Sequence, residues 1–251
     1  MHTQTQLREH RDALARSNME LRHSNEELEQ FAYIASHDLQ EPLNTVTGFA
    51  NLLMMDYGSV LDEVGKQYLT HMIQSTGRMQ DLIAALLDYS RLGRNQQTAM
   101  IDCTKLVEKV LADLSSVILT SQAIIHTGSL PTLIGYEQEL ERLFQNLIKN
   151  ALKFQPPSAK PSIEITSEQC EEGWQFSVKD NGIGIAPEFH QKIFAIFQRL
   201  HTRDKYEGTG IGLSQCRKII ELHNGRIWVE SAPGQGCTFY FILPRLIAHG
   251  D

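Results

Sequence analysis

Leucines recur at strict seven-residue spacing at the start of the chain, at Leu7, Leu14, Leu21 and Leu28, and Ala35 continues the series. If these are d positions of a heptad, the a positions are Arg11, Asn18, Asn25 and Ala32. A leucine seam with polar a residues fits a parallel two-stranded coiled coil, because buried Asn fixes register and oligomer state at some cost in stability. A single solvated helix is the alternative, since the apolar stripe is thin. The pattern then widens. Phe31, Ile34, Ala35, Leu39, Leu43, Val46, Phe49, Ala50 and Leu53 fall at three- and four-residue steps, which predicts an amphipathic helix. "DYGSVLDE", Asp56 to Glu63, reads as a turn. A second helix follows, with Val64, Tyr68, Met72, Thr76, Met79, Ile83 and Leu87 on its expected buried side. Two helices joined by a short turn make an antiparallel hairpin, and two hairpins bury their stripes together as a four-helix bundle.

The polar break "LGRNQQTAM", Leu92 to Met100, ends this region. After it, helical segments (Thr104–Leu119, Tyr136–Phe154, Gly212–Asn224) mix with short strand candidates. The strands are Ala123–His126, Ser162–Ser167, Trp174–Lys179, Arg226–Glu230 and Thr238–Leu243. That mixture predicts an α+β layer of helices on a mixed sheet. The expected organisation is a coiled-coil helix over 1–30, a helical hairpin over 31–94 and an α/β domain over 100–246.

Composition narrows the function classes. The chain has 251 residues, 41% apolar and 21% charged, as in an ordinary globular protein. Its net charge of -7 argues against a nucleic-acid binder, which is usually basic. No run of apolar residues is long enough to span a membrane, and the polar N-terminus lacks a signal-peptide core. Cys103, Cys170, Cys216 and Cys237 are scattered without a CxxC pair, which fits a reduced, cytoplasmic protein better than a disulfide or zinc framework.

Three stretches carry candidate chemistry. "VKDNGIGIAPE" places Asp180, Gly182 and Gly184 after an apolar strand. "YEGTGIGLSQCRKIIELHNG" places Gly208, Gly210 and Gly212 at the opening of a helix, where free N–H groups and the helix dipole favour an anion such as a phosphate. Neither is a P-loop or a dinucleotide fingerprint. In "ELERLFQNLIKNALKF", Asn146, Asn150 and Lys153 stand at i, i+4 and i+7 and share one helix face. Any one of these Asn residues alone reads equally well as part of a solvated face. Together beside phosphates, an Asn oxygen can complete the shell of a hard cation such as Mg²⁺, and Lys153 adds positive charge.

In this order the motifs resemble the transmitter core of a sensor histidine kinase of two-component signalling, notably its cyanobacterial and phytochrome-like members. "SHDLQEPL" is similar to the family's H box, "NLIKNALKF" to the N box, "DNGIGI" to the G1 box, "IFAIFQRL" to the F box and "GTGIGL" to the G2 box. Each box alone is weak, whereas all of them in order are specific. The resemblance implies a multidomain fold: a dimeric helical hairpin, four-helix bundle with an N-terminal coiled coil, followed by a Bergerat-fold α/β sandwich. It implies that His37 is the phosphoacceptor and Asp38 the acid that assists transfer. ATP is expected to be held by Asn146, Asn150, Lys153, Asp180, Gly182, Gly184 and Ile185. The lid, about Gln198 to Gly208, adds Arg199, Arg203 and Lys205 as phosphate contacts, Gly208, Gly210 and Gly212 hinge it and open the next helix, and Thr209, Ile211 and Leu213 of the same stretch join the ATP site. Asn150 is the implied Mg²⁺ ligand and Asp180 the acceptor for the adenine amino group. The implied partners are a second copy, a response-regulator receiver domain, and an upstream sensory domain or protein that supplies the signal.

The resemblance also gives "FAYIASHDLQEPLNTVTGFA" a chemical meaning. A histidine attacks phosphorus through an unprotonated ring nitrogen, and a carboxylate on the other N–H fixes the tautomer. Asp38, at i+1, points about 100° away around a helix of ~3.6 residues per turn, whereas Glu41 lies one turn along. Both remain open as the assisting acid. Pro42 cannot donate to the carbonyl of Asp38 and is expected to bend the helix beside His37. Glu41 stands where strongly phosphatase-active members often carry Thr or Asn, so weak phosphatase activity is expected. An ATPase of the wider superfamily and a non-catalytic dimeric scaffold are the competing readings.

Overall fold

The computed structural model describes residues 19, 36, 38–93, 97–157, 159–200, 206 and 208–245. The leucine seam at Leu7, Leu14, Leu21 and Leu28 lies outside them, as do His37, Arg203 and Lys205. The chain divides into two compact units, Met1–Arg91 and Leu92–Asp251.

In the first unit, helix α1 covers residues 38–57 without a break at Pro42, and α2 is Glu63–Arg91. Gly58 N–H closes the end of α1 on the Met54 carbonyl at 3.0 Å. Asp62 Oδ1 accepts from Gly65 N–H at 2.7 Å, a side-chain cap that starts α2, with Glu63 following in its first turn. The two helices are keyed by polar contacts. Thr47 Oγ1 donates to Thr76 Oγ1 at 2.7 Å, and Gln80 Nε2 donates to Asn44 Oδ1 at 2.7 Å. Ala50, Leu69 and Thr76 are buried between them.

The burial differs from the sequence pattern. Of the residues assigned to the inner side of α2, Thr76 is buried, but Val64, Tyr68, Met72 and Met79 are exposed. Leu39, Val46, Phe49 and Leu53 of α1 are exposed as well. Two helices alone meet along one narrow seam, so a wide apolar stripe cannot be covered within a single hairpin.

The second unit opens with β1 (Ala99–Asp102), α3 (Cys103–Asp113), α4 (Ser115–Ser121), β2 (Ile124–Thr127), β3 (Thr132–Gly135) and α5 (Glu137–Lys153). It continues with β4 (Ser162–Cys170), β5 (Gly173–Asp180), α6 (Gly212–Leu222), β6 (Arg226–Ser231) and β7 (Cys237–Pro244). Short 3₁₀ turns occupy Pro187–Phe189 and Lys192–Phe194. The main sheet has the order β2-β4-β5-β7-β6, parallel at β2–β4 and antiparallel elsewhere, while β1 and β3 pair separately.

Alternation along the strands sets the layers. Ile163, Ile165, Phe176, Val178, Phe239 and Phe241 turn to one face, and Leu140, Phe144, Leu147, Ile219 and Ile220 of α5 and α6 are buried with them. Phe144 of α5 meets Phe176 and Phe241 edge-on at 5.9 and 5.7 Å, and those two rings stack at 5.0 Å. Aromatic pairs of this geometry add to the area they bury.

Three expectations change here. The single helix predicted over Thr104–Leu119 is two, because Leu114 leaves helical geometry at ψ 6° and both segments reuse it as a cap. The four-residue strands β1 and β3 carry too little alternation to be read from the chain. Asn224, placed in the last helix, is instead left-handed at φ 56° beyond the end of α6.

Candidate nucleotide site

The amphipathic helix α5 buries Leu140, Leu143, Phe144, Leu147, Ile148, Ala151 and Leu152, which leaves its polar face to the site. Asn146 is half-buried and donates from Nδ2 to Gln215 Oε1 of α6 at 3.1 Å. Asn150 is half-buried, and its side chain makes no hydrogen bond among the described residues. Lys153 closes the helix, with Nζ 4.2 Å from the centre of the Phe154 ring.

The first glycine stretch follows β5. Asp180 is buried, and its Oδ1 accepts from Gly182 N–H at 2.8 Å and Cys237 N–H at 3.2 Å. Both bonds converge on Oδ1, which leaves Oδ2 without a hydrogen bond among the described residues. Burial pushes the Asp180 carboxyl up to about 6, against the pull of those two N–H groups. Ile183 N–H donates to the Phe154 carbonyl at 3.0 Å, and Gly234 N–H donates to the Ile183 carbonyl at 2.8 Å. Gly184 is left-handed at φ +71°, and a side chain there meets the Ala232 carbonyl. Ile185 N–H donates to Ser231 Oγ at 2.8 Å, so the loop is laced to the β6–β7 turn.

The second glycine stretch opens α6. Gly210 is left-handed at φ +77°, which disfavours any side chain, and a Cβ there stands a tight 3.0 Å from Arg199 and from the Gln198 carbonyl. A Cβ on Gly208 stands 2.9 Å from Lys153 Nζ, and one on Gly212 stands 3.4 Å from Asn146 Oδ1. The turn thus lies close to the polar face of α5, beside Asn146 and the end of the Lys153 side chain. Ile211 is buried, and Thr209 and Leu213 are half-buried beside it. Arg199 Nη2 donates to the Tyr206 carbonyl at 2.9 Å. Tyr206 in turn donates its hydroxyl to the Gln155 carbonyl at 3.0 Å and lays its ring 5.1 Å from that of Phe154.

The second unit thus gathers Asn146, Asn150, Lys153, Asp180, Gly182, Gly184, Ile185, Arg199 and the stretch from Gly208 to Leu213 around the end of α5. Asp38 and Glu41 belong to the first unit, where both are exposed on α1. Sequence reasoning missed Phe154, Gln155, Tyr206, Ser231 and Cys237. "GQGC", just before β7, was the available signal, since a glycine-rich turn so near a strand often marks close backbone approach.

Chemically, the site joins a carboxylate acceptor in a closed corner, backbone amides at a glycine-opened helix and two cations. It also has amide oxygens suited to a hard metal ion. No cluster of His, Cys, Asp and Glu able to hold a metal by itself occurs among the described residues. No helix among them is long and apolar enough to cross a membrane.

Comparison with known proteins agrees with this division. The HisKA family, "His Kinase A (phospho-acceptor) domain", matches residues 27–95. The HATPase_c family, "Histidine kinase-, DNA gyrase B-, and HSP90-like ATPase", matches residues 135–247. The chain is 47% identical over 234 residues to the phytochrome-like protein Cph1 of Synechocystis sp., covering 93% of this chain and 31% of that protein. It is 31% identical to the adaptive-response sensory kinase SasA of Prochlorococcus marinus, covering 90% of this chain and 61% of the relative. The chain therefore spans about a third of the phytochrome-like relative it matches. Among solved structures, full-length ShkA in complex with AMPPNP aligns with a TM-score of 0.63 at 28% identity, over 84% of this chain and 45% of ShkA. The catalytic domain of histidine kinase ThkA aligns with a TM-score of 0.51 at 26% identity, over 60% of this chain and 99% of that domain. A helical unit that matches the phosphoacceptor family, followed by an α/β sandwich that matches the ATPase family, makes this chain a member of the sensor histidine kinases, bearing their transmitter core.

Proposed function

We propose that the protein is an ATP-dependent protein-histidine kinase that phosphorylates His37 and passes the phosphoryl group to an aspartate of a response-regulator receiver domain. The observation that carries the ATP site is the buried Asp180. Its Oδ1 is fixed by two backbone N–H groups, and its Oδ2 is set to accept from an exocyclic amino group such as that of adenine. Asn146, Lys153, Arg199 and the amides of Gly208 to Gly212 then face the triphosphate.

In the transfer, a lone pair on the His37 ring attacks the γ-phosphorus. The bond from that phosphorus to the β–γ bridging oxygen breaks, and ADP leaves with those electrons. Asp38 or Glu41 holds the other ring N–H and steadies the imidazole as it gains positive charge. The half-buried amide of Asn150, which bonds to nothing among the described residues, fits an oxygen ligand for Mg²⁺. When bound, Mg²⁺ neutralises charge on the β- and γ-phosphates. The receiver aspartate then attacks the phosphohistidine, and the P–N bond breaks. With the anionic Glu41 inside the H box, one turn from His37, the protein removes phosphate from its partner only weakly.

The exposed Val46, Phe49, Val64 and Tyr68 support a homodimer in which a second hairpin covers the stripe one hairpin leaves open. The heptad at Leu7, Leu14, Leu21 and Leu28 continues that dimer as a coiled coil toward the sensory domain or protein that supplies the signal. A need for ATP and four cysteines without a CxxC pair fit a reaction in the cytoplasm.

Incubation with γ-labelled ATP and Mg²⁺ tests the proposal. Acid-labile, base-stable label on the wild type that is absent from His37→Ala is expected. Hydrolysis of ATP without any label on the wild type overturns phosphotransfer and leaves an ATPase.

A further inference from the structure

The end of α5 acts as a hub for both glycine loops. Two successive carbonyls there each receive one bond from a different loop. Phe154 O accepts from Ile183 N–H at 3.0 Å, which ties down the loop after β5. Gln155 O accepts from the Tyr206 hydroxyl at 3.0 Å, which ties Tyr206, two positions before Gly208, to the end of α5. Tyr206 contributes twice more. Its ring rests on Phe154 at 5.1 Å, and its carbonyl holds the Arg199 guanidinium at 2.9 Å. Lys153 Nζ lies over the same Phe154 ring and against Gly208.

We propose that Tyr206 is a positioning residue. It fixes the spacing between the two glycine loops and orients Arg199 and Lys153 before a nucleotide arrives. This rests on the reading of the site as an ATP site. The physical reason is preorganisation. Without the tie, Tyr206 and the Arg199 guanidinium it holds must be positioned at the moment of binding, and that ordering is subtracted from affinity. Tyr206 supplies a rigid ring and one hydrogen bond, and its partners here, the Phe154 ring and the Gln155 carbonyl, are not among the residues assigned to the phosphates. Its loss is expected to act on binding rather than on the transfer step.

Tyr206→Phe keeps the ring and deletes the hydroxyl, whereas Tyr206→Leu deletes both. Titration of each full-length variant with a fluorescent ATP analogue and Mg²⁺ measures affinity directly, and autophosphorylation kinetics separate KM from kcat. Loss of one neutral hydrogen bond is expected to weaken binding about fivefold in Tyr206→Phe, with a larger loss in Tyr206→Leu. KM for ATP is expected to rise by similar factors while kcat stays within about twofold, the pattern of lost uniform binding.

Unchanged affinity in both variants overturns the proposal, as does tighter binding, which would make the contact self-occluding. A weakening matched by a fall in the melting temperature of the second unit overturns it too, since the tyrosine would then only hold the fold. Asp180→Asn, run alongside, separates this from the site itself. If Asp180→Asn binds as well as wild type, the ATP-site reading fails. If Asp180→Asn loses binding and the Tyr206 variants do not, only the positioning role fails.

Discussion

The backbone N–H of Tyr136 donates to Nε2 of His223 at 3.1 Å, joining the start of α5 to the end of α6. The other ring nitrogen, Nδ1, stands 2.8 Å from the Ile219 carbonyl, which only an N–H can bond. One nitrogen must accept and the other must donate, so His223 is held neutral in a single tautomer. Its ring is buried, packed 4.9 Å from that of Tyr136, and burial lowers its pKa. The two helices that carry Asn146, Asn150 and Gly212 are therefore pinned together at their far ends by one imidazole.

That pin is sensitive to acid. His223 binds a proton in the unfolded chain below its ordinary pKa of 6.5 but resists one when folded, so its contribution to stability is lost as pH falls below 6.5. Asp180 runs the other way. Its folded pKa is raised from 3.8 to about 6, so the stability it contributes is fully present below 3.8 and lost as pH rises through about 6. Both tryptophans, Trp174 and Trp228, lie in the second unit, so their fluorescence reports its unfolding alone. Urea titrations from pH 8 to 5.5 are expected to show His223→Gln less stable at pH 8, by about 1–3 kcal/mol for the disturbed buried bonds. The gap to wild type should narrow as the pH falls. A constant gap would show that His223 does not titrate differently on folding.

Asp180 gives a second pH signature, in binding. An ionised carboxylate accepts a hydrogen bond from an amino group, whereas the protonated acid presents an O–H in its place. The affinity of the wild type for ATP is expected to fall as the pH drops through about 6, where the free site takes up its proton. Asp180→Asn keeps an acceptor for Gly182 and Cys237 but loses the charge. It is expected to bind ATP about tenfold to a hundredfold more weakly, with no step near that pH. Equilibrium binding of ATP between pH 5 and 8 checks both statements, and a step that survives in Asp180→Asn assigns the titration to another group.

Much of this site was legible in the chain because it is built from elements with strong local signatures. The apolar stripe of α5 puts Asn146, Asn150 and Lys153 on one face whatever packs around it. Gly210 and Gly184 hold left-handed backbone at tight contacts, so the glycines that drew attention are required where they stand. What could not be read was nonlocal. Cys237 reaches Asp180 through its backbone N–H, which any residue but proline could supply. Tyr206 meets Gln155 across 51 positions, and neither residue has a periodic reason to be singled out. The short β1 and β3 exist because they pair with one another rather than because four residues prefer to be extended.

In the hairpin, the bond between Thr47 and Thr76 sets the register of α1 on α2. Thr76 is buried, and its Oγ1 also donates to the Met72 carbonyl at 2.9 Å. Thr76→Val is nearly isosteric but leaves Thr47 facing a methyl group. It is expected to cost about 1 kcal/mol, and Thr47→Val a similar amount. If the two hydroxyls act on each other, the double variant costs less than the sum of the single ones. Thermal unfolding followed by helical circular dichroism measures this, and strict additivity would mean that each threonine acts only through its own helix carbonyl.

The exposed stripe of the same hairpin predicts an assembly. Phe49 is 65% and Tyr68 66% exposed in the single chain, so a charge at either position meets solvent and leaves the isolated hairpin intact. In a dimer that buries the stripe, the same charge is trapped against apolar partners and against its own copy, a cost that association cannot absorb. Phe49→Glu combined with Tyr68→Glu is therefore expected to convert a dimer to a monomer in sedimentation velocity, with helical content maintained. Leu69→Ala acts inside the hairpin, where Leu69 is buried, and should lower the melting temperature of the helices. A Phe49→Glu, Tyr68→Glu protein that remains dimeric would show that the stripe is not the contact, and would leave the heptad of Leu7 to Leu28 to hold the two chains together.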